Sequence, residues 1–137
     1  MKVTKSFLKH LTYQVNGAAI EVHKQLGPGL LESVYHKCLK HEFKLRGIKF
    51  RSELAVPIDY KGIDTIADLR CDFLVEDILL VELKAAEAFH PIFDAQLLTY
   101  MKLMEIPKGI LYNFNVVNLF NEGQKTLVNE YFRSLPE

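Results

Sequence analysis

The sequence predicts an α/β protein, an α+β sandwich in which a mixed central β-sheet is flanked by helices. Three observations carry that prediction. Two helical periodicities open the chain, an apolar run in its middle suits a strand covered on both faces, and a third helical periodicity stands between that run and another strand. The 137 residues are 49% hydrophobic and 25% charged, which is ordinary globular usage and enough for one domain, residues 1–137, with a real core.

From about Phe7 to Leu26, the residues Leu11, Val15, Ala18, Ala19, Val22 and Leu26 recur at three- and four-residue spacing until Gly27-Pro28-Gly29 stops the pattern. A second helix follows from about Leu30 to Arg46, with Leu31, Val34, Tyr35, Cys38, Leu39, Glu42 and Phe43 along one side and Gly47 as terminator. Its other side carries Lys37, Lys40, His41 and Lys44, a solvated surface or a patch for phosphates. Phe50, Leu54, Val56, Ile58 and Tyr60 then fall on even positions of an extended stretch before the Lys61-Gly62 turn, and Pro57 makes that stretch an edge or irregular strand rather than a central one.

A strand from Thr65 to Val75 places Ala67, Leu69, Cys71, Phe73 and Val75 on one face and Asp68, Arg70 and Asp72 on the other. Glu76 and Asp77 join it to the central run, Ile78 to Ala85. Glu87 to Pro91 reads as a loop, and Phe93, Gln96, Leu97, Tyr100, Met101 and Met104 mark the inner stripe of a third helix ending before Pro107. Gly109 to Phe114 is a further strand, Val116 to Phe120 a short one, and the remainder from Gly123 is either a strand or a short helix. The strand-helix-strand passage through Ile78, Gln96 and Ile110 should be a right-handed parallel crossover.

Seventeen basic residues balance 17 acidic ones, which excludes a protein that coats nucleic acid by bulk charge and leaves room only for a local basic face. Cys38 and Cys71 both sit in apolar patterns, as buried thiols of a reducing compartment do. Met1 to Lys5 lead into no long apolar signal segment, and no run approaches the length of a membrane span, so the expectation is a cytoplasmic protein with no membrane partner. No Ser or Cys elbow and no phosphate-cradling Gly-rich loop is present, which argues against nucleophilic catalysis.

The chemistry should lie where the central run ends in charge. Glu82 and Lys84 are two apart and share a face, and Asp72 lies ten residues upstream on the neighbouring strand. Whether Asp72 joins them depends on register. A two-residue turn at Glu76-Asp77 would pair Val75 with Ile78 and put Asp72 and Glu82 on opposite faces, whereas a three-residue connection or a bulge brings them onto one. Two carboxylates with no cation but Lys84 repel and raise one another's pKa unless a divalent ion sits between them, and oxygen donors suit Mg²⁺ or Mn²⁺. Such an ion can polarise a phosphoryl oxygen and activate a water that Lys84 orients. Against this stand plainer readings: Glu82 and Lys84 as an ion pair at the sheet rim, Glu32 as a first-turn acid favoured by the helix dipole, and Gln96 as a satisfied core amide. Tyr35 reads as a packing residue whose hydroxyl reaches a polar partner, and neither His23 nor His90 is assigned a role.

Asp72 with Glu82-Leu83-Lys84 at the end of an apolar strand resembles the D…(D/E)xK signature of the PD-(D/E)XK nuclease superfamily. Gly29-Leu30-Leu31-Glu32-Ser33-Val34-Tyr35 is similar to the motif that names its GxxExxY branch, and Gln96-Leu97-Leu98 and Asn113-Phe114 follow in order, so that the likeness covers roughly Ala18 to Asn115. Thr99 and Asn115 depart from the Asn and Gly usual in that branch. The resemblance implies a restriction-endonuclease-like core with Glu32, Asp72 and Glu82 as metal ligands, Lys84 as the catalytic lysine and Gln96 lining the site. It implies Mg²⁺ or Mn²⁺ as cofactor and hydrolysis of phosphodiester bonds in nucleic acid; between the two nucleic acids, DNA is the favoured expectation over RNA. The alternative is an inactive nuclease-fold module that binds nucleic acid or a protein partner. A domain this small offers a duplex only a short groove, which makes a homodimer a further expectation.

Overall fold

The computed structural model describes residues 3–64 and 70–137. Helix α1 (Lys5–Leu26) and helix α2 (Glu32–Leu45) come first, followed by strands β1 (Phe50–Ala55), β2 (Asp59–Tyr60), β3 (Ile63–Asp64), β4 (Arg70–Val75) and β5 (Leu79–Lys84). Helix α3 (Pro91–Met104), strand β6 (Lys108–Asn113), helix α4 (Leu119–Glu122), strand β7 (Gln124–Val128) and helix α5 (Glu130–Arg133) complete the order. A five-stranded sheet runs β1-β4-β5-β6-β7, while β2 and β3 form a separate small hairpin around the Lys61-Gly62 turn.

Strands β5 and β6 pair in parallel across α3, and the other neighbours in the large sheet are antiparallel. The mixed sheet flanked by helices is thus present, with the apolar central run at its middle and the Pro57 stretch following its edge strand β1. One core lies under α1 and α2, where Val15, Tyr35, Leu39 and Phe43 meet Phe73, Val81 and Tyr112. The other lies under α3, where Leu97, Tyr100 and Met101 meet Leu74, Leu80 and Leu111. Burying each such Leu or Phe stabilises by about 1.5–3 kcal/mol. Phe43 and Phe50 both pack edge-on against Phe73, at centroid distances of 5.2 and 5.7 Å, which ties α2 and the edge strand to β4.

Several expectations are corrected. In the second helix, Leu31 is 73% exposed and Val34 also faces solvent, because α2 begins only at Glu32 and its buried stripe is Tyr35, Leu39 and Phe43. Cys38 is only half-buried, although both thiols are free. Pro91 opens α3, with His90 as its cap accepting from the Ile92 amide at 3.1 Å, so the loop stops one residue earlier. Val116 to Phe120 is no strand: Asn118 caps the short helix α4, and beyond Gly123 the chain forms a strand and then a helical turn.

Strict alternation along β1 and β4 also fails. Phe50, Phe73 and Val75 join the α1–α2 core, whereas Leu54, Val56 and Cys71 join the α3 core. The faces exchange at Glu53, which has φ +54° and is skipped together with Asp72 in the β1–β4 pairing. Thr65 to Leu69, expected to extend this strand, lie outside the described residues.

Close approach of α3 to the sheet rests on a missing side chain. A Cβ at Gly109 on β6 would stand 2.8 Å from Met101 Sδ and 3.0 Å from two Leu97 carbons. Gly109→Ala should therefore lift α3 and destabilise the protein by about 1–3 kcal/mol in a urea titration. An unchanged midpoint would show that α3 has room the packing does not suggest.

Candidate active site at the end of strand β5

Everything at this end of the sheet follows from the β4–β5 connection. Val75 pairs with Leu79, Leu74 with Leu80 and Phe73 with Val81, so Glu76, Asp77 and Ile78 form a three-residue loop. Glu76 and Asp77 both take the left-handed region, φ +53° and +59°, and the Ile78 amide donates to Val75 O at 3.1 Å. The register sum is even, as convergence requires, and Asp72 falls opposite Glu82.

At that position side chains take over from the backbone ladder. The Asp72 amide donates to Glu82 Oε1 at 3.0 Å, and the Leu83 amide donates to Asp72 Oδ2 at 2.8 Å. Glu82 is buried at 5% exposure. Burial first, and then the charge of Asp72 and a carboxyl-to-carboxyl hydrogen bond, push its pKa up to about 9. Burial beside Asp72 thus favours the neutral form of the Glu82 carboxyl. Tyr100, on α3, is raised as well, chiefly by burial and then by Glu82, and burial with Glu82 beside it pushes the Cys71 thiol up to about 11.

Lys84 is half-buried and forms no ion pair with Glu82 or any other described residue, so the rim ion pair is not what the fold builds. Its Nζ donates to Gln96 Oε1 at 3.4 Å and sits 4.8 Å from the Phe93 ring centroid. Gln96 Nε2 in turn donates to the Tyr100 hydroxyl at 3.0 Å, so the amide that interrupts the apolar stripe of α3 links Lys84 to that helix. Beyond Lys84 the chain is fixed by the buried Asn113, whose side chain accepts from the Ala86 amide and donates to Ala86 O at 3.0 and 3.1 Å.

Glu32 is the first residue of α2 and faces the same cluster. Burial and then Asp72 raise its pKa, and Lys84 and His36 oppose that shift. Tyr35 serves the loop before α2: its hydroxyl donates to Gly27 O at 2.6 Å and accepts from the Leu30 amide at 3.2 Å, while its ring stacks on Phe114 at 4.5 Å. His23, with a ring nitrogen 2.8 Å from Val116 O, is likewise structural. Asp72 and Glu82 thus form one bonded pair and Lys84 and Gln96 another, Lys84 acting on Glu82 through its charge, with Glu32 at the edge of the group.

Sequence reasoning missed His36, Tyr100 as a polar partner, and Glu53. His36 follows Tyr35 at the spacing that puts it one turn above Glu32, a signal that could have been read. A cavity of about 370 Å³ opens beside Asp72, lined by Glu32, Ser33, His36, Lys37, Lys40 and Glu53.

Among the described residues no cluster of three or more His, Cys, Asp or Glu side chains is arranged to hold a metal ion. The donor chemistry of Asp72 and Glu82 nonetheless fits a hard divalent cation. Two carboxyls confined together, one of them buried and neither ion-paired with a lysine among the described residues, repel one another, and a cation between them would relieve that repulsion.

The five-stranded mixed sheet flanked by helices makes this an α/β protein with an architecture consistent with a nuclease fold. The chain belongs to the PD-(D/E)XK nuclease superfamily, whose family model matches residues 9–126. No curated protein and no solved structure matched it. Among the described residues no helix is long and apolar enough to cross a membrane.

The acid pair makes stability depend on pH. Glu82 has a raised pKa in the fold, so its contribution is fully present below its ordinary value of 4.5 and is lost as pH rises toward about 9. Without divalent ions, thermal unfolding should fall in temperature from pH 5 to pH 9. Glu82→Gln should flatten that slope, and an equal slope in the variant would refute the assignment.

Proposed function

We propose that this protein is a metal-dependent nuclease of the GxxExxY branch, hydrolysing phosphodiester bonds in DNA rather than RNA. The observation that carries the reading is the three-residue hairpin, which turns Asp72 onto the face of Glu82 and leaves Lys84 free of any acidic partner among the described residues. Glu32, Asp72 and Glu82 are the residues that would hold Mg²⁺ or Mn²⁺. When bound, such an ion supplies charge neutralisation for the phosphate and an acidified water.

The chain's own groups do the rest. Gln96 and Phe93 hold the Lys84 ammonium beside the acids, where it can orient a water or meet charge developing on phosphate. Lys37 and Lys40 line the cavity next to Asp72 and give the backbone of a nucleic-acid strand a basic wall. Two free cysteines suit work in a reducing cytoplasm. Pairing of two copies, testable by mass in solution, would lengthen the short groove.

A second reading is a nuclease-fold module that binds nucleic acid or a protein without cutting. It draws on the backbone amides that already occupy Glu82 Oε1 and Asp72 Oδ2. Cleavage of single- and double-stranded DNA and RNA across a Mg²⁺ and Mn²⁺ titration separates the two. Asp72→Ala and Lys84→Ala should each lower the rate about 10²–10³-fold. Cleavage unchanged in both variants would assign the activity to a contaminant. For binding, Lys37→Ala and Lys40→Ala should each reduce the slope of log affinity against log salt by about 1. Slopes equal to the unmodified chain would remove α2 from the interface.

A further inference from the structure

We infer that His36 is a positioning residue for Asp72, its Nε2–H serving as the donor to Oδ1 while the Leu83 amide holds Oδ2. This rests on the reading of Asp72 as a metal ligand. The imidazole lies nearly flat on Phe73, with centroids 4.4 Å apart and planes 14° from parallel, and Phe73 is the strand neighbour of Asp72. The ring is therefore pinned by the same strand that carries the carboxylate.

Its Nε2 atom is buried without a hydrogen-bond partner and stands 3.9 Å from Asp72 Oδ1. A buried donor left unmet costs about 1–3 kcal/mol. Stacking alone would be served as well by a phenyl ring, which carries no such cost, so the nitrogen needs a partner. Glu32 also acts on this ring from one turn below, but Asp72 Oδ1 is the acidic oxygen within 4 Å of Nε2, and a small closing movement completes the bond. With Oδ2 already fixed at 2.8 Å by Leu83, a donor on Oδ1 would lock the carboxylate's rotation and direct its remaining lone pairs at one point.

The test is Mn²⁺ binding to the full chain by calorimetry, with no cleavage assay involved. His36→Phe keeps the stack and removes the donor. It should remain folded by circular dichroism and bind Mn²⁺ about 10–100-fold more weakly. His36→Gln, whose amide can reach the Nε2 position, should recover most of that loss. Binding by His36→Phe equal to the unmodified chain would overturn the inference and leave the nuclease reading standing. Failure of Gln to rescue would also overturn it, because a donor at the Nε2 position would then not be what binding needs. A folded unmodified chain that binds no Mn²⁺ would overturn both readings. If His36→Phe does not fold, nitrogen-detected NMR of the unmodified chain decides. The Nε2–H tautomer supports the inference and the Nδ1–H tautomer overturns it.

Discussion

One residue of loop length governs the candidate site. Because strand side chains alternate with period two, shortening the Glu76-Asp77-Ile78 connection by a single residue would send Glu82 and Lys84 to the face opposite Asp72. The loop that prevents this is held in an unfavourable backbone conformation. Two successive non-glycine residues with positive φ cost of the order of 1–3 kcal/mol each, and Asp77 is among the residue types that bear it best. Arg51 donates to Asp77 Oδ1 at 2.7 Å and the Glu76 amide donates to Lys49 O at 3.0 Å, so the edge strand and the segment before it help to hold the loop. Burial of Phe73, Val75, Leu79 and Val81 beneath α1 and α2 supplies the larger offset.

The helices then act on what the loop has oriented. Gly109 lets α3 lie close, and α3 delivers Gln96, Phe93 and Tyr100 to Lys84 and the acids. From the other side the Tyr35 hydroxyl closes the Gly27 to Leu30 turn, which sets where α2 starts and so where Glu32 and His36 stand. Phe73 links the two arrangements: it anchors Phe43 and Phe50 in the core and offers its face to His36.

Helices α1, α2 and α3 and strand β5 were legible because each repeats one period over many residues, and Gly27, Gly47 and Pro107 mark their ends. The register requirement was also legible, since it is arithmetic on residue numbers. The exchange of faces at Glu53 and Asp72 was not, because period-two reading assumes an unbroken strand and nothing in Glu53 signals a positive φ. Leu31 was misplaced because apolar spacing continues past the point where the helix begins. Val116 to Phe120 looked like a strand for its valines, and the Asn118 cap outweighed them. The spacing of His36 one turn above Glu32 was legible, but its partners were not, since only the fold reveals that Phe73 and Asp72 lie beneath it.

Local order and site chemistry pull in opposite directions at the acid pair. A fold seeking stability alone would place an apolar residue at position 82, since a buried carboxyl beside another carboxyl is stable only with a proton or a cation between them. The surrounding structure nonetheless invests in keeping the pair: a strained loop sets its register, two backbone amides bind it, and Lys84 is drawn toward Gln96 rather than used to neutralise it. Had Lys84 closed on Glu82, the conflict would vanish and the site would become an ordinary rim ion pair. The unresolved charge is therefore what distinguishes this end of the sheet from the rest of the core, and it is the physical reason to look for its chemistry there.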